Sequence, residues 1–456
     1  MKKLLTLILV AILSVSCFAC GGKNPDEQGG TPTPTGTKPT YEKGEVITVF
    51  VDCAPYPTEA RLLDYKNAGI NTYNLTEDAN PLNSQGYLNT LELCAELGLD
   101  VYIRSYDNFG QQEYPFANNI GKMYFDNLQF DFKDYPAVKG IYWWDEPNFN
   151  QFDEIAVEQV AYHNEHFKDD YVFHINLFPS YGHPDTQLGV QASGNGTAYE
   201  NYVNGYVEKV LKNVQGKKTL SLDHYPMRAS ATTSYVSSSW LSDLGLVATL
   251  AKEYGAIFNS CIQTYGNGSQ MRELQSVADF GFQIYANMAL GASSFELYQY
   301  TDGHGATGLV SGSGELHPSY YYVKEILGYV HALEHVYLSF DWQGAMTVYG
   351  EEINNDTDCF FGVQKYVQES LPAIKSVRAR TNTLVGHFTD AEKRNGYMIS
   401  NFADPVVGKT DVVEIIYDGY TKATVYRNGK EEDVDLVEGK LKLILEKGEG
   451  AFVVPY

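Results

Sequence analysis

Val46-Ile47-Thr48-Val49-Phe50-Val51, then Thr58-Glu59-Ala60-Arg61-Leu62-Leu63-Asp64-Tyr65-Lys66-Asn67-Ala68-Gly69, then Ile70-Asn71-Thr72-Tyr73-Asn74-Leu75: this stretch decides the fold. The outer runs are short, apolar and rich in β-branched residues, which suits buried strands. The middle one opens on a threonine that can cap a helix, keeps helical period and stops at glycine. A strand, a helix and a strand in that order set two parallel strands side by side.

The unit recurs along the chain. Further strand candidates are Val101 to Tyr106, Val138 to Trp144, Tyr171 to Leu177, Thr219 to Asp223, Ala256 to Gln263 and Ser294 to Tyr300, and Asn83 to Gly98 repeats the helical form. Strand and helix alternating eight times predicts an α/β protein whose residues 45–342 form a (β/α)8 TIM barrel, with its site at the C-terminal ends of the strands. A doubly wound open sheet is the alternative, but no Gly-x-Gly-x-x-Gly turn follows the first strand. Beyond a last helix from Pro318, the texture changes. Residues 343–456 hold period-two runs such as Val412-Val413-Glu414-Ile415-Ile416-Tyr417, separated by turn signals such as Asn428-Gly429, and predict an antiparallel β-sandwich.

Composition narrows the partners. The chain has 456 residues, with 33 Lys and Arg against 57 Asp and Glu, and an acidic surface repels phosphate. A nucleic-acid partner is therefore not expected. The 36 Tyr and 22 Phe favour polar, flat-faced ligands such as sugars. Six cysteines fall at no zinc spacing and suggest no disulfide scaffold, so neither metal nor cofactor is expected.

Met1-Lys2-Lys3 and the apolar run Leu4 to Leu13 read as a secretory signal, too short to span a bilayer stably. Ser14-Val15-Ser16-Cys17-Phe18-Ala19-Cys20-Gly21-Gly22 resembles a bacterial lipoprotein box, with Cys20 preferred over Cys17 as the lipidated residue. Residues 1–20 are then the signal segment, 21–44 a flexible Gly/Pro/Thr-rich tether, and the location the cell envelope, lipid-anchored to a membrane.

Carboxylates gather at the strand ends: Asp52, Glu77, Asp78, Asp107, Asp145, Glu146, Asp223, Glu296 and Asp302. Of these, Glu77, Asp78 and Asp302 read more simply as helix caps or solvated loop residues. Two carboxyls flanking a glycosidic bond are what its hydrolysis requires. Tyr106, Trp144, Tyr225, Tyr265, Tyr298 and Tyr300 supply faces for sugar rings.

Gly140-Ile141-Tyr142-Trp143-Trp144-Asp145-Glu146-Pro147 resembles the fourth strand of clan A glycoside hydrolases, which ends in Asn-Glu-Pro or a close variant. The resemblance implies Glu146 as general acid/base and Asp145 in the place of the Asn that holds the sugar 2-hydroxyl. Ser221-Leu222-Asp223-His224-Tyr225-Pro226 is similar to the polar His/Tyr endings of the sixth strand, implying support from His224 and Tyr225. Met288-Ala289-Leu290-Gly291-Ala292-Ser293-Ser294-Phe295 resembles the eighth unit of family 42 β-galactosidase-like barrels, in a chain similar to glycosidase-like lipoproteins of Bacteroidetes. It departs at strand seven, where Gln263 stands in place of the nucleophilic Glu.

The second carboxylate is then Asp223 or Glu296, or catalysis is lost. Asp223 is preferred because it falls at a strand end, whereas Glu296 sits early in its strand and could equally be an internally paired barrel residue. The expected function is hydrolysis of a neutral oligo- or polysaccharide, with Asp107, Trp144, Asp145, His224, Tyr225, Gln263, Tyr265, Tyr298 and Tyr300 binding substrate. A non-catalytic glycan-binding lipoprotein on the same groove is the alternative, and Gln263 favours it.

Overall fold

The computed structural model of the chain describes residues 36–76, 81–104, 122–230, 232–303, 305–352 and 357–456. The eight apolar runs are strands β1 (Thr48–Val51), β2 (Thr72–Leu75), β3 (Asp100–Arg104), β4 (Val138–Asp145), β5 (Val172–Asn176), β6 (Thr219–Leu222), β7 (Ile257–Gln263) and β8 (Ser294–Tyr298). Every pairing among them is parallel. They form two four-stranded sheets, ordered β2-β3-β4-β5 and β1-β8-β7-β6.

One continuous barrel ladder was the expectation, and the two seams between these sheets correct it. At the first seam the Asn71 side chain takes the place of a ladder partner: its oxygen accepts from the Val49 amide at 2.8 Å and its nitrogen donates to the Ile47 carbonyl at 2.8 Å. The main chain adds a single bond there, from the Asn71 amide to the Val49 carbonyl at 3.1 Å. At the second seam the Phe173 amide donates to the Lys217 carbonyl and the Asp223 amide to the Leu177 carbonyl, both at 3.0 Å.

Helices cover the sheets where caps mark them. Helix α1 (Glu59–Asn67) starts at Thr58, whose hydroxyl accepts from the Arg61 amide, and α2 (Gln85–Leu97) runs from Ser84 to a left-handed Gly98. Helix α3 (Ala198–Lys209) opens with a Thr197/Glu200 capping box. Helices α4 (Trp240–Glu253), α5 (Val277–Ala289) and α6 (Pro318–Tyr337) follow. Between the strands, Phe50, Tyr102 and Tyr142 make a separate small core, and the His174 ring meets Phe50 edge-on at 5.3 Å.

The C-terminal strands are β9 (Phe340–Val348), β10 (Ile374–Ala379), β11 (Thr383–Asp390), β12 (Asn395–Asn401), β13 (Asp411–Tyr417), β14 (Lys422–Arg427), β15 (Lys430–Asp435), β16 (Lys440–Leu445) and β17 (Gly450–Pro455). They pair antiparallel in the orders β9-β11-β12-β17-β14-β15 and β10-β13-β16. Period two sorts the side chains. Val385, Ile399 and Val453 of the larger sheet share one core with Val413, Ile415 and Leu443 of the smaller. Asn428 and Gly429 both have positive φ, as a two-residue hairpin turn requires.

This part is docked on the helices. A Cβ at Gly386 would lie 2.1 Å from the Ala289 carbonyl oxygen at the end of α5, so only glycine permits the approach. Nearby, Arg272 Nη1 donates to both carboxylate oxygens of Asp404, at 2.7 and 2.8 Å.

The lipoprotein segment and Cys20 lie outside the described residues. In the last part of the expected tether, Lys38 pairs with Glu431 and Asp433, and the Tyr41 ring packs 5.3 Å from Phe340. Among the described residues no helix is long and apolar enough to cross a membrane.

Candidate active site

Several of the strand-end carboxylates converge on one guanidinium. Arg104, the last residue of β3, is 1% exposed. Its Nη2 donates to Asp145 Oδ2 at 2.8 Å, while Nη1 lies 3.1 Å from Asp52 Oδ1 and 3.6 Å from Glu296 Oε1. Its planar face covers the Tyr142 ring at 4.2 Å. One cation does not neutralise three acids, and burial does the rest. The Asp145 carboxyl is pushed up by burial and by the charge of Asp52, with Arg104 opposing. Burial holds the Glu296 carboxyl well above the usual carboxylate range.

A belt of polar side chains crosses the neighbouring strands and ends on Asp145. The Ser294 hydroxyl donates to Asn259 Oδ1 at 2.7 Å, and Asn259 Nδ2 donates to Ser221 Oγ at 2.8 Å. Ser221 donates to Asn176 Oδ1 at 2.7 Å, and Asn176 Nδ2 to Asp145 Oδ1 at 3.3 Å. Every donor points the same way, so each bond polarises the next toward the carboxylate. The Tyr142 hydroxyl adds a bond to the same oxygen at 2.9 Å. Asp145 is thereby fixed as an acceptor.

Glu146 follows at once, in a left-handed conformation with φ of 51°, its amide donating to the Asn176 carbonyl at 2.9 Å. A non-glycine residue there is held against its preference. The half-buried Glu146 carboxyl is held well above the usual range by burial, then by the charges of Asp223 and Asp145, with Arg104 opposing. Asp223 stands just past the end of β6. Burial pushes its carboxyl up to about 7, the Tyr225 hydroxyl opposes the shift by stabilising the anion, and the charge of Asp145 adds to it. Burial therefore favours the protonated form of Glu146, while Asp223 lies close to its midpoint near neutral pH.

Beside Asp223 stands a wall of three rings. Tyr225 meets Tyr265 edge-on at 5.2 Å and Tyr298 at 5.4 Å, and Tyr265 meets Tyr298 at 5.2 Å. These three expected substrate-binding residues are thus brought together near Asp223, with Asp145 and Glu146 at the end of β4.

Others are not brought to this group. Glu296 sits two residues inside the end of β8, is 1% exposed, and turns its other oxygen toward His174 Nε2 at 3.9 Å, so it belongs to the interior network. His224, expected to support sugar binding, has its Nδ1 2.7 Å from Asp243 Oδ2 and its Nε2 3.0 Å from Ser237 Oγ, so both nitrogens face protein side chains. Gln263 is likewise engaged. Its oxygen accepts from the Met227 amide at 2.9 Å and its nitrogen donates to the carbonyls of Met227 and Tyr265 at 3.1 and 3.0 Å. Tyr300 packs its ring 5.3 Å from Tyr65, and Trp144 is buried in the main core past a register shift in β4, so neither offers a face to a sugar. Asp302 organises its loop, accepting from the Gly308 amide at 2.8 Å and facing His317 Nε2 at 3.0 Å. Tyr106, Asp107, Glu77 and Asp78 lie outside the described residues.

Sequence reasoning missed Arg104, Asn176 and Tyr181. Arg104 had a signal, a cation closing an apolar strand, whereas Asn176 and Tyr181 act through partners distant in sequence. The half-exposed Tyr181 ring stands edge-on to His224 at 5.0 Å, and its hydroxyl accepts from the Tyr225 amide at 3.4 Å. Among the described residues no group of His, Cys, Asp and Glu is arranged to hold a metal ion.

No protein-family model matches the chain, and no curated protein matches it. Solved structures similar to it include a GH42 β-galactosidase from G. stearothermophilus, 9% identical, with a TM-score of 0.49 over 91% of this chain and 99% of that one. An endo-β-1,4-mannanase from Thermotoga petrophila is 12% identical, with a TM-score of 0.40 over 87% of this chain and 97% of that one. A GH27 β-L-arabinopyranosidase from Geobacillus stearothermophilus is also 12% identical, with a TM-score of 0.40 over 90% and 96%.

Proposed function

We propose that the chain is a glycoside hydrolase, built as a loosely seamed (β/α)8 barrel with a β-sandwich behind it, in which Glu146 is the general acid and Asp223 the second carboxylate. The observation that carries this reading is the Glu146/Asp223 pair, both raised by burial and electrostatically linked to each other, with Asp223 beside the Tyr225, Tyr265 and Tyr298 rings. Glu146 protonates the leaving oxygen. Asp223, two strands away around the sheet order, activates a water on the opposite side, and hydrolysis inverts the anomeric centre. Screening the protein against plant and host glycans, with proton NMR of the first anomer released, tests both parts. Hydrolysis with retention would remove the water-activating role of Asp223, and no hydrolysis of any glycan would remove the enzyme.

The pH profile follows from the same pair. Turnover needs Asp223 ionised, so kcat/KM rises as pH climbs through about 7. Replacing Tyr225 with Phe removes the group that stabilises the anion and moves this acidic limb to higher pH. Asp145→Asn removes a neighbouring negative charge and moves it lower. An acidic limb that stays in place in both variants would show that Asp223 does not set it.

A second reading is favoured by Gln263, whose amide is spent on backbone atoms where the resembled enzymes carry their nucleophile. On it, the cleft binds a glycan without cleaving it. Sugar binding that persists at full strength in Asp223→Asn, with no turnover in the unaltered protein, would select this reading. We also propose lipid anchoring through Cys20, tested by palmitate incorporation that is lost in Cys20→Ala.

A further inference from the structure

The loops on the site's face are almost free of cations. Among the described residues of these loops, 52–58, 76, 81–84, 146–151, 177–197, 223–230, 232–239, 264–276, 299–303 and 305–317, the only Lys or Arg are Arg228 and Arg272. Arg272 is committed to the fold, through both oxygens of Asp404 and, at 3.5 Å, Asp279. Arg228 is not. It lies in a short hairpin, Met227–Ala229 with Ser234–Val236, that directly follows the Asp223 strand end.

Its guanidinium covers the Tyr181 ring at 4.6 Å, and Nη1 lies 2.9 Å from Met271 Sδ. Half-buried against a ring and a sulfur, it is partly dehydrated, yet no carboxylate of the described residues pairs with it. Tyr181 in turn touches Tyr225, the centre of the ring wall beside Asp223. A guanidinium in that state accepts an anion readily, and its flat fork matches a carboxylate with two parallel bonds. Every other charge offered by these loops is negative, so an acidic substrate is welcome at this point and repelled elsewhere, which sets its orientation.

We propose that Arg228 receives the carboxylate of a uronic acid residue, so that the substrate is an acidic glycan and not the wholly neutral one expected from net charge. The inference rests on the glycosidase reading and names the substrate class of that same site.

Calorimetric titration of the Glu146→Gln protein tests it, with tetragalacturonate and a glucuronoxylan-derived aldotetrauronic acid as probes, each beside its carboxyl-reduced form. At least one acidic probe should bind about 10-fold or more tightly than its reduced form, with a preference that shrinks as salt is added. Arg228→Gln should abolish the preference, and Arg228→Lys should keep part of it. Equal binding of acidic and reduced forms, or a preference that survives Arg228→Gln, overturns the proposal. Binding of neutral cello- or manno-oligosaccharides without the acids, or of sulfated ones instead, overturns it while leaving the glycosidase reading intact. If no oligosaccharide binds and none is cleaved by the unaltered protein, both fall.

Discussion

Glu146→Gln is expected to lower turnover of natural glycosides by about 10²- to 10⁴-fold, because an amide cannot donate the proton that the leaving oxygen needs. Activated aryl glycosides, whose leaving groups depart without protonation, should lose far less. The contrast between the two substrates carries the argument. A residue that only shaped the loop would depress both together, and the left-handed backbone at Glu146 makes that a real competitor. Gln keeps the size and most hydrogen-bonding capacity of Glu, so the backbone contact to Asn176 should persist. Steady-state kinetics on a paired set of alkyl and nitrophenyl glycosides decides between them, and equal losses would make Glu146 structural.

The second large effect concerns stability. Arg104→Met leaves Asp52, Asp145 and Glu296 without their shared cation in a buried site. Removing one partner of a buried ionic cluster typically costs about 3–5 kcal/mol, since the remaining charges are uncompensated. The variant should recover as pH falls. Carboxyls whose folded pKa is raised bind protons more readily in the native state, so they destabilise it increasingly as pH rises through the folded value. Urea unfolding at pH 5 and pH 8 measures this, and a cost that is the same at both would show that the acids do not depend on Arg104.

How much of this was legible in the chain depends on the distance between partners. The eight parallel strands follow from short β-branched runs alternating with capped helical stretches, because both signals are local. The strand-end positions of Glu146 and Asp223 are local as well, next to Pro147 and ahead of Tyr225-Pro226. His224 and Gln263 have the same local appearance as sugar ligands. Their actual partners, Asp243 and Met227, lie 19 and 36 residues away, and no periodicity reports such pairings. The seams were illegible for a related reason: Asn71 reads as an ordinary strand residue until its side chain is seen replacing the ladder of β1. Lys38 shows the limit most plainly, since its acidic partners on β15 lie almost the whole chain away.

Titration of the two carboxyls themselves bears most directly on the claim that Glu146 and Asp223 form the acid and base of one site. Carbon-13 NMR of carboxyl-labelled protein, with Glu146→Gln and Asp223→Asn supplying the assignments, follows each group without any substrate. The account predicts that Asp223 titrates at about 7 and Glu146 well above the usual carboxylate range, with the Glu146 value falling when Asp223 is neutralised. Two independent titrations in the ordinary carboxylate range, about 4 for both, would contradict it.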